Sequence, residues 1–308
     1  MILLKQKAVL TLQITAYKRK DIDMNGFICP VCGKSLEIKG KSYVCDDRHS
    51  FDISSKGYVN LLLSGQMNAK LPGDNKMMVN ARTEFLSKGY YSHLAQAVCD
   101  AVCEHFHGGV LLDAGCGEGY YTEEIFRAIS GNKYGFKLLG IDISKFACSH
   151  AAKRLNGQPQ CEVAAASIFR LPLADGSVDM AVTMFAPFCR EEFCRVIKSR
   201  GYLIMAIPAE DHLMSLKAAV YDKPYKNQTA DYEVEGFDFL ESRKISRSIF
   251  IDNPRDIQSL FSMTPYYYKT GEEGHRRLEA LESLETEASF EVLIYKRKQV
   301  YDITGGII

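Results

Sequence analysis

Through its middle the chain alternates short, almost wholly apolar runs with segments in which apolar residues return every three or four positions. GGVLLDAGCGEGYYTEEIFRAI, residues 108–129, opens on Val110, Leu111 and Leu112, passes through a glycine-rich turn and continues at helical spacing. KLLGIDIS (137–144) is a second run. CEVAAASIFRLPLADGSVDMAVTMFAP (161–187) supplies a short third strand, a turn at RLP and a fourth strand over 178–184. EFCRVIKSRGYLIMAIP (192–208) reads as a helix, a turn at Gly201 and a fifth strand. Runs that are apolar throughout belong to strands covered on both faces, and strands separated by helices form a parallel sheet. Ahead of them Phe85, Leu86, Tyr90, Leu94, Val98 and Val102 keep one helical face between Asn80 and Phe106, expected to cover the sheet.

Composition narrows the class without deciding it. The 308 residues carry 38 Lys and Arg against 38 Asp and Glu, with 46% hydrophobic and 25% charged residues. That is the make-up of a folded globular chain of about two domains, not of a disordered, collagenous or disulfide-scaffold protein. No run approaches the roughly 18 apolar residues of a spanning helix, so no membrane partner is expected. Of ten cysteines, seven are scattered singly along apolar segments; such thiols fit a reducing compartment, and a cytoplasmic location is expected. In residues 1–23, Lys5 and Lys7 break the apolar run and no small-residue cleavage site follows. The segment is read as an extension, with Met24 as an alternative initiator.

The other three cysteines lie close together. CPVCGKSLEIKGKSYVCDDRH (29–49) places Cys29 and Cys32 as C-x2-C, then Cys45, then His49 as C-x3-H, around a short hairpin. Four nitrogen and sulfur ligands fill a tetrahedral zinc site with no position open for water, which makes the metal structural. So small a segment takes much of its folding energy from the metal. FDISSKGYVNLLL, which follows, is expected to pack on it as a strand. Residues 1–70 hold eleven Lys and Arg against six Asp and Glu, a weak pointer to an anionic partner, for which Lys39 and Lys41 or Arg243, Lys244 and Arg247 offer local patches.

The second source of chemistry is the first turn of the α/β core. Asp113 ends its first strand and Gly115, Gly117 and Gly119 follow in G-x-G-x-G spacing, which differs from the G-x-G-x-x-G that seats a pyrophosphate on a helix N-terminus. Asp142 ends the second strand, where an acid is placed to accept from both hydroxyls of a ribose.

In this order D-A-G-C-G-E-G, G-I-D-I-S, L-P-L-A-D-G-S-V-D and E-F-C-R-V-I-K-S-R-G resemble class I S-adenosylmethionine-dependent methyltransferases. The resemblance implies a Rossmann-like α/β fold, a seven-stranded, mostly parallel sheet over about 75–298, whose last strand FEVLIY (290–295) inserts antiparallel beside a strand near 245–251. It implies that Asp113 joins the glycine loop in binding the cofactor, that this loop meets its methionine part and that Asp142 holds the ribose. Where many members carry an acid beside the adenine, this chain has Ser167, so the backbone of Ser167 and Ile168 is expected to serve there.

The flanks narrow the family. The zinc module, H-S-F-D-I-S-S-K-G-Y-V-N-L-L, P-G-D-N-K-M-M-V-N-A-R-T-E-F-L-S-K-G-Y-Y, F-A-P at 185–187, D-H-L at 211–213 and M-T-P-Y-Y-Y at 263–268 resemble the 23S ribosomal RNA (guanine-N1)-methyltransferases. That resemblance covers Met24 to about Lys298. It implies a zinc-binding β domain over 24–70 that grips a 23S rRNA hairpin, a catalytic domain over 71–298 and a tail over 299–308, with a link in some members to macrolide susceptibility. A homodimer is left open. Phe185 and Pro187 are expected to line the base pocket, His212 to hydrogen-bond or take the N1 proton, and the 263–268 tyrosines to stack a base or pack a loop. The two tasks are expected to sit on separate domains, so that deleting 1–70 abolishes methylation of an rRNA hairpin and leaves cofactor binding intact. Two rivals remain: a small-molecule, quinone-type methyltransferase with a structural zinc lid, and a non-enzymatic RNA-binding protein, against which the intact glycines and Asp142 speak.

Overall fold

The computed structural model describes residues 26–63, 73–131, 135–228 and 231–299. The N-terminal extension, the division at residue 70 and all but the first residue of the tail lie outside the described residues.

Three short strands, β1 (Glu37–Lys39), β2 (Ser42–Val44) and β3 (Ser50–Asp52), form an antiparallel ribbon. Its hairpin turns in two residues, with Gly40 at φ 67°, the conformation that a tight hairpin asks of its first residue. The chain then adds β4 (Val59–Asn60), α1 (Lys76–Ser87), α2 (Ser92–His105), β5 (Gly109–Ala114), α3 (Tyr120–Ile129), β6 (Phe136–Asp142), α4 (Lys145–Arg154), β7 (Cys161–Ala165) and β8 (Val178–Met184). It continues through α5 (Arg190–Val196), β9 (Ile197–Pro208), α6 (Met214–Val220), β10 (Phe237–Ile251), α7 (Pro254–Ser262), α8 (Tyr266–Lys269), α9 (Glu272–Glu279) and β11 (Leu284–Arg297).

The large sheet has the order β10-β11-β9-β8-β5-β6-β7-β4. Only β11 is reversed, antiparallel to β10 and β9, with Phe290 opposite Ile245. The seven strands expected of a class I methyltransferase are present, last strand included. The eighth, β4, comes from the segment expected to complete the zinc module: Ser50–Asp52 stays with the ribbon, but Val59 and Asn60 pair in parallel with Ala164 and Ala165 of β7. The helical stretch before the sheet is two helices. They break at Lys88–Tyr91, where Gly89 takes φ 78°.

β5 is buried at every position because both sheet faces are covered. Leu111 belongs to one core, with α2, α3 and the 257–261 segment, whereas Val110 and Leu112 point to the other. That second core holds Phe27, Leu36, Tyr43, Val59 and Leu61 of the N-terminal segment together with Leu139 and Ile141. The ribbon is packed into the methyltransferase core.

Candidate active site and metal centre

At the carboxyl ends of β5, β6 and β8 lies a cleft of about 790 Å³, the place where open α/β sheets bind ligands. Its floor is the loop after β5. Gly115, Gly117 and Gly119 all have positive φ, and an added side chain would meet different surroundings at each. A Cβ on Gly115 would lie 2.4 Å from that of Ala186, and one on Gly119 would lie 2.7 Å from the Ala151 backbone, whereas one on Gly117 would project into open cleft.

Asp142 fixes this loop. Its Oδ2 accepts from the Gly117 amide at 3.0 Å and its Oδ1 from the Ser144 amide at 2.8 Å. Burial raises its pKa, with the Ser144, Gly117 and Ile143 amides and the Arg82 charge working against that. A carboxylate has about four acceptor positions, so it keeps capacity for a ligand beyond these amides. Ser144 also caps α4 and donates to the Asp74 carbonyl at 3.0 Å; the Asp74 carboxylate pairs with Arg82, and Arg82 reaches the Met263 carbonyl at 3.3 Å. This chain of contacts ties β6 to α1 and to the loop over the cleft.

Asp113 is not on the cleft wall. Its carboxylate is fully buried beneath the glycine loop and takes a hydrogen bond from Thr122 Oγ1 at 2.6 Å. Burial pushes its pKa up to about 7. The expectation that it meets the cofactor is corrected accordingly: in a strand covered on both faces, the residue before the turn points inward. Ser167 and Ile168 do line the cleft, on a loop held by Arg195 through the Leu171 and Leu173 carbonyls. The ribbon holds the same loop: the Ile28 amide donates to the Pro172 carbonyl at 2.8 Å and Arg170 to the Pro30 carbonyl at 3.3 Å.

The opposite end is aromatic. Phe185, at φ 55° and half exposed, stands 5.7 Å from Phe290 and 6.5 Å from Tyr121 between ring centroids, with Pro187 beside it on the wall. His212 is buried between Phe290 at 4.6 Å and Tyr91 at 6.1 Å, and burial pushes its imidazole down to about 3. Tyr91 Oη, Tyr121 Oη and His212 Nδ1 are buried and have no hydrogen-bond partner among the described residues, although all three residues line the cleft. A buried polar atom left without a partner costs about 1–3 kcal/mol, so three in one cavity mark it as built to receive polar groups. Of the 263–268 tyrosines, Tyr266 is buried, whereas Tyr268 is exposed at the mouth and accepts from Asn75 at 2.9 Å.

In the ribbon, Cys29, Cys32, Cys45 and His49 present ligand atoms all within 4.8 Å of one another. Cys32 Sγ is 3.6 Å from Cys45 Sγ, which is 3.3 Å from His49 Nδ1. Two ligands about 2.3 Å from a tetrahedral zinc stand roughly 3.7 Å apart, so the four residues fit a closed structural site. Among the other expected contacts, Lys39 and Lys41 are exposed, but Arg243 is engaged by Glu104 and Glu241 and is not free for RNA.

Arg82, Tyr91, Tyr121, Asn227 and Phe290 were not singled out by the sequence as site residues, yet all line the cleft. Arg82 and Tyr91 lie in N-A-R-T-E-F-L-S-K-G-Y-Y, whose apolar spacing read as a helix packed on the sheet; the break at Gly89 is the signal that turns Tyr91 inward.

This strand order, glycine loop and acid at the end of β6 define a class I S-adenosylmethionine-dependent methyltransferase domain, here joined to a zinc ribbon. Residues 105–256 match the family described as “Methyltransferase domain” and residues 27–67 the zinc ribbon described as “RlmA, N-terminal”. The chain is 35% identical over 208 residues to the “Putative 23S rRNA (guanine-N(1)-)-methyltransferase” of Micromonospora griseorubida, covering 61% of this chain and 67% of that protein. With the 23S rRNA (guanine(748)-N(1))-methyltransferase of Streptomyces fradiae it shares 31% identity over 196 residues, 62% and 66% of the two chains. With the “Putative 23S rRNA (guanine-N(1)-)-methyltransferase YxjB” of Bacillus subtilis (strain 168) it shares 28% over 289 residues, 90% and 99%. The chain belongs to the 23S rRNA (guanine-N1)-methyltransferase family.

Proposed function

We propose that the protein transfers the methyl group of S-adenosylmethionine to N1 of a guanine in 23S rRNA, in the cytoplasm. The observation that carries this is the cleft itself: a carboxylate with acceptor capacity to spare at one end and three unpartnered polar atoms in an aromatic box at the other. S-Adenosylmethionine has a ribose diol for the first and a sulfonium with an amino-acid group for the second. Bound there, the cofactor supplies an activated methyl on a good leaving group, so the protein's part is to position and desolvate.

We assign the ribose to Asp142, the close approach of the methionine part to Gly117, and the adenine edge to Ser167 and Ile168. Gly115 and Gly119 serve the loop's shape. Tyr91 and His212 offer hydrogen bonds inside the box. His212 acts there as a neutral partner and not as a general base, because a site that lowers its pKa to about 3 disfavours the imidazolium it would become. Phe185, half exposed with its backbone in the left-handed region, and Pro187 form the platform for the target base.

The zinc ribbon, with Lys39 and Lys41 outward, adds the grip on the RNA hairpin. The test is methyl transfer from labelled S-adenosylmethionine to an in vitro 23S rRNA transcript, followed by nucleoside mass analysis. Appearance of 1-methylguanosine is expected; transfer only to small quinone-type acceptors, or none, would overturn the proposal.

A further inference from the structure

Lys217 is fully buried and none of its hydrogen bonds is to a carboxylate. Its ammonium donates to the Tyr225 carbonyl at 3.0 Å and to Asn227 Oδ1 at 2.8 Å, and lies 5.0 Å and 5.2 Å from the ring centroids of Tyr225 and Tyr266. These three partners line the cleft. A buried ammonium held by carbonyls and ring faces, with only the field of Asp211 as an opposite charge, is costly to keep, and here it fixes a polar side chain.

A lysine only donates, so the Asn227 amide must turn its oxygen toward Lys217. The second acceptor position of that oxygen faces Tyr266 Oη at 3.5 Å, and Asn227 Nδ2 donates to the Ala209 carbonyl at 2.7 Å. One group of this side chain has no partner among the described residues, the second N–H of Nδ2.

We propose that this N–H reads the target base, donating to O6 of guanine, and that Lys217 is the positioning residue that holds it in the donating sense. The inference rests on the guanine-N1 reading. Guanine presents an acceptor at position 6, beside the N1 to be methylated, and adenine presents an amino donor there. A fixed donor pairs with the first and meets the second hydrogen to hydrogen.

The experiment is a double-mutant cycle with Asn227→Ala and Lys217→Met, assayed on the in vitro 23S rRNA transcript, with S-adenosylmethionine affinity measured separately. Asn227→Ala should lower kcat/KM for the RNA by about tenfold, the loss of one hydrogen bond in a dry site, without moving cofactor affinity. Lys217→Met should do the same, and the double variant should be little worse than either, because the two act as a unit. A transcript made with 6-thioguanosine, a weak acceptor, should cost the wild type more than it costs Asn227→Ala, which also controls for altered RNA folding. Additive losses, or a cofactor affinity that falls with Lys217→Met, would reduce the lysine to a structural role. An Asn227→Ala enzyme at wild-type rate would overturn the base-reading assignment. A wild type that makes no 1-methylguanosine refutes the function itself.

Discussion

Removing the zinc should disable the methyltransferase domain, not just the ribbon. Phe27, Val59 and Leu61 are each about 1% exposed and sit in one core with Val110, Leu112, Leu139 and Ile141. At about 1.5–3 kcal/mol for each such side chain, their release costs roughly 5–9 kcal/mol, an upper estimate because an unfolded ribbon keeps some contacts. An ordinary domain has about 5–15 kcal/mol in all. Cys45 is buried beside them, so Cys45→Ala or a zinc chelator should lower the midpoint of a single thermal transition by about 10–35 °C, taking about 2–4 °C per kcal/mol. Cofactor binding should weaken too, since the 167–173 loop loses its hydrogen bonds to Ile28 and Pro30. Calorimetry with parallel S-adenosylmethionine titration reads both. Two independent transitions, or a chain truncated to start at Gly73 that keeps its midpoint and cofactor affinity, would refute this coupling and restore separable domains.

Further outcomes follow from single side chains. Gly117→Val should abolish S-adenosylmethionine binding in a protein that still folds, read by titration and circular dichroism, whereas Gly119→Val should fail to fold because its side chain meets the Ala151 backbone. Asp142→Ala should lose about 1.5–3 kcal/mol of cofactor binding or more, because the Gly117 amide is released along with the ribose; unchanged affinity would remove the assigned pocket. Asp113 has its pKa raised to about 7 from 3.8, so its contribution is fully present below pH 4 and is lost as pH rises toward 7. Asp113→Asn should therefore be more stable than wild type at pH 8 by up to about 4 kcal/mol in urea melts, the advantage vanishing near pH 4.

What the sequence made legible was what physics repeats along the chain. Unbroken apolar runs placed β5, β6 and β8, and the Cys29–His49 spacing placed four ligands, because each pattern reports on its own neighbourhood. Contacts between distant segments left no such mark. Val59 and Asn60 look like the end of a ribbon strand, yet they extend the sheet at Ala164 and Ala165, since a strand pairs with whichever edge is in reach. Tyr91, His212 and Phe290 come from three separate segments, and only the fold brings their rings within 6.1 Å. Lys217 sits in the helical spacing of L-M-S-L-K-A-A-V, where a lysine reads as solvated; its burial depends on carbonyls eight and ten residues further on.

The cleft also bears on how the N1 proton leaves. Guanine N1 carries that proton in its neutral form, and a competent base needs a conjugate acid that the site tolerates. Burial depresses His212; two amides engage the Asp142 carboxylate; Glu118 is held by Arg154 at 2.7 Å. Each group is committed to building the pocket, as is Asp74 by its pairing with Arg82, so on the proposed reading proton acceptance falls to solvent entering at the mouth beside Tyr268. Catalysis then rests on holding N1 in line with the methyl, and on a donor at O6 that draws charge from the ring as the proton departs. The Asn227 N–H, fixed by Lys217, would stabilise the anionic base as well as recognise it, and the cost of burying Lys217 is met where that charge develops.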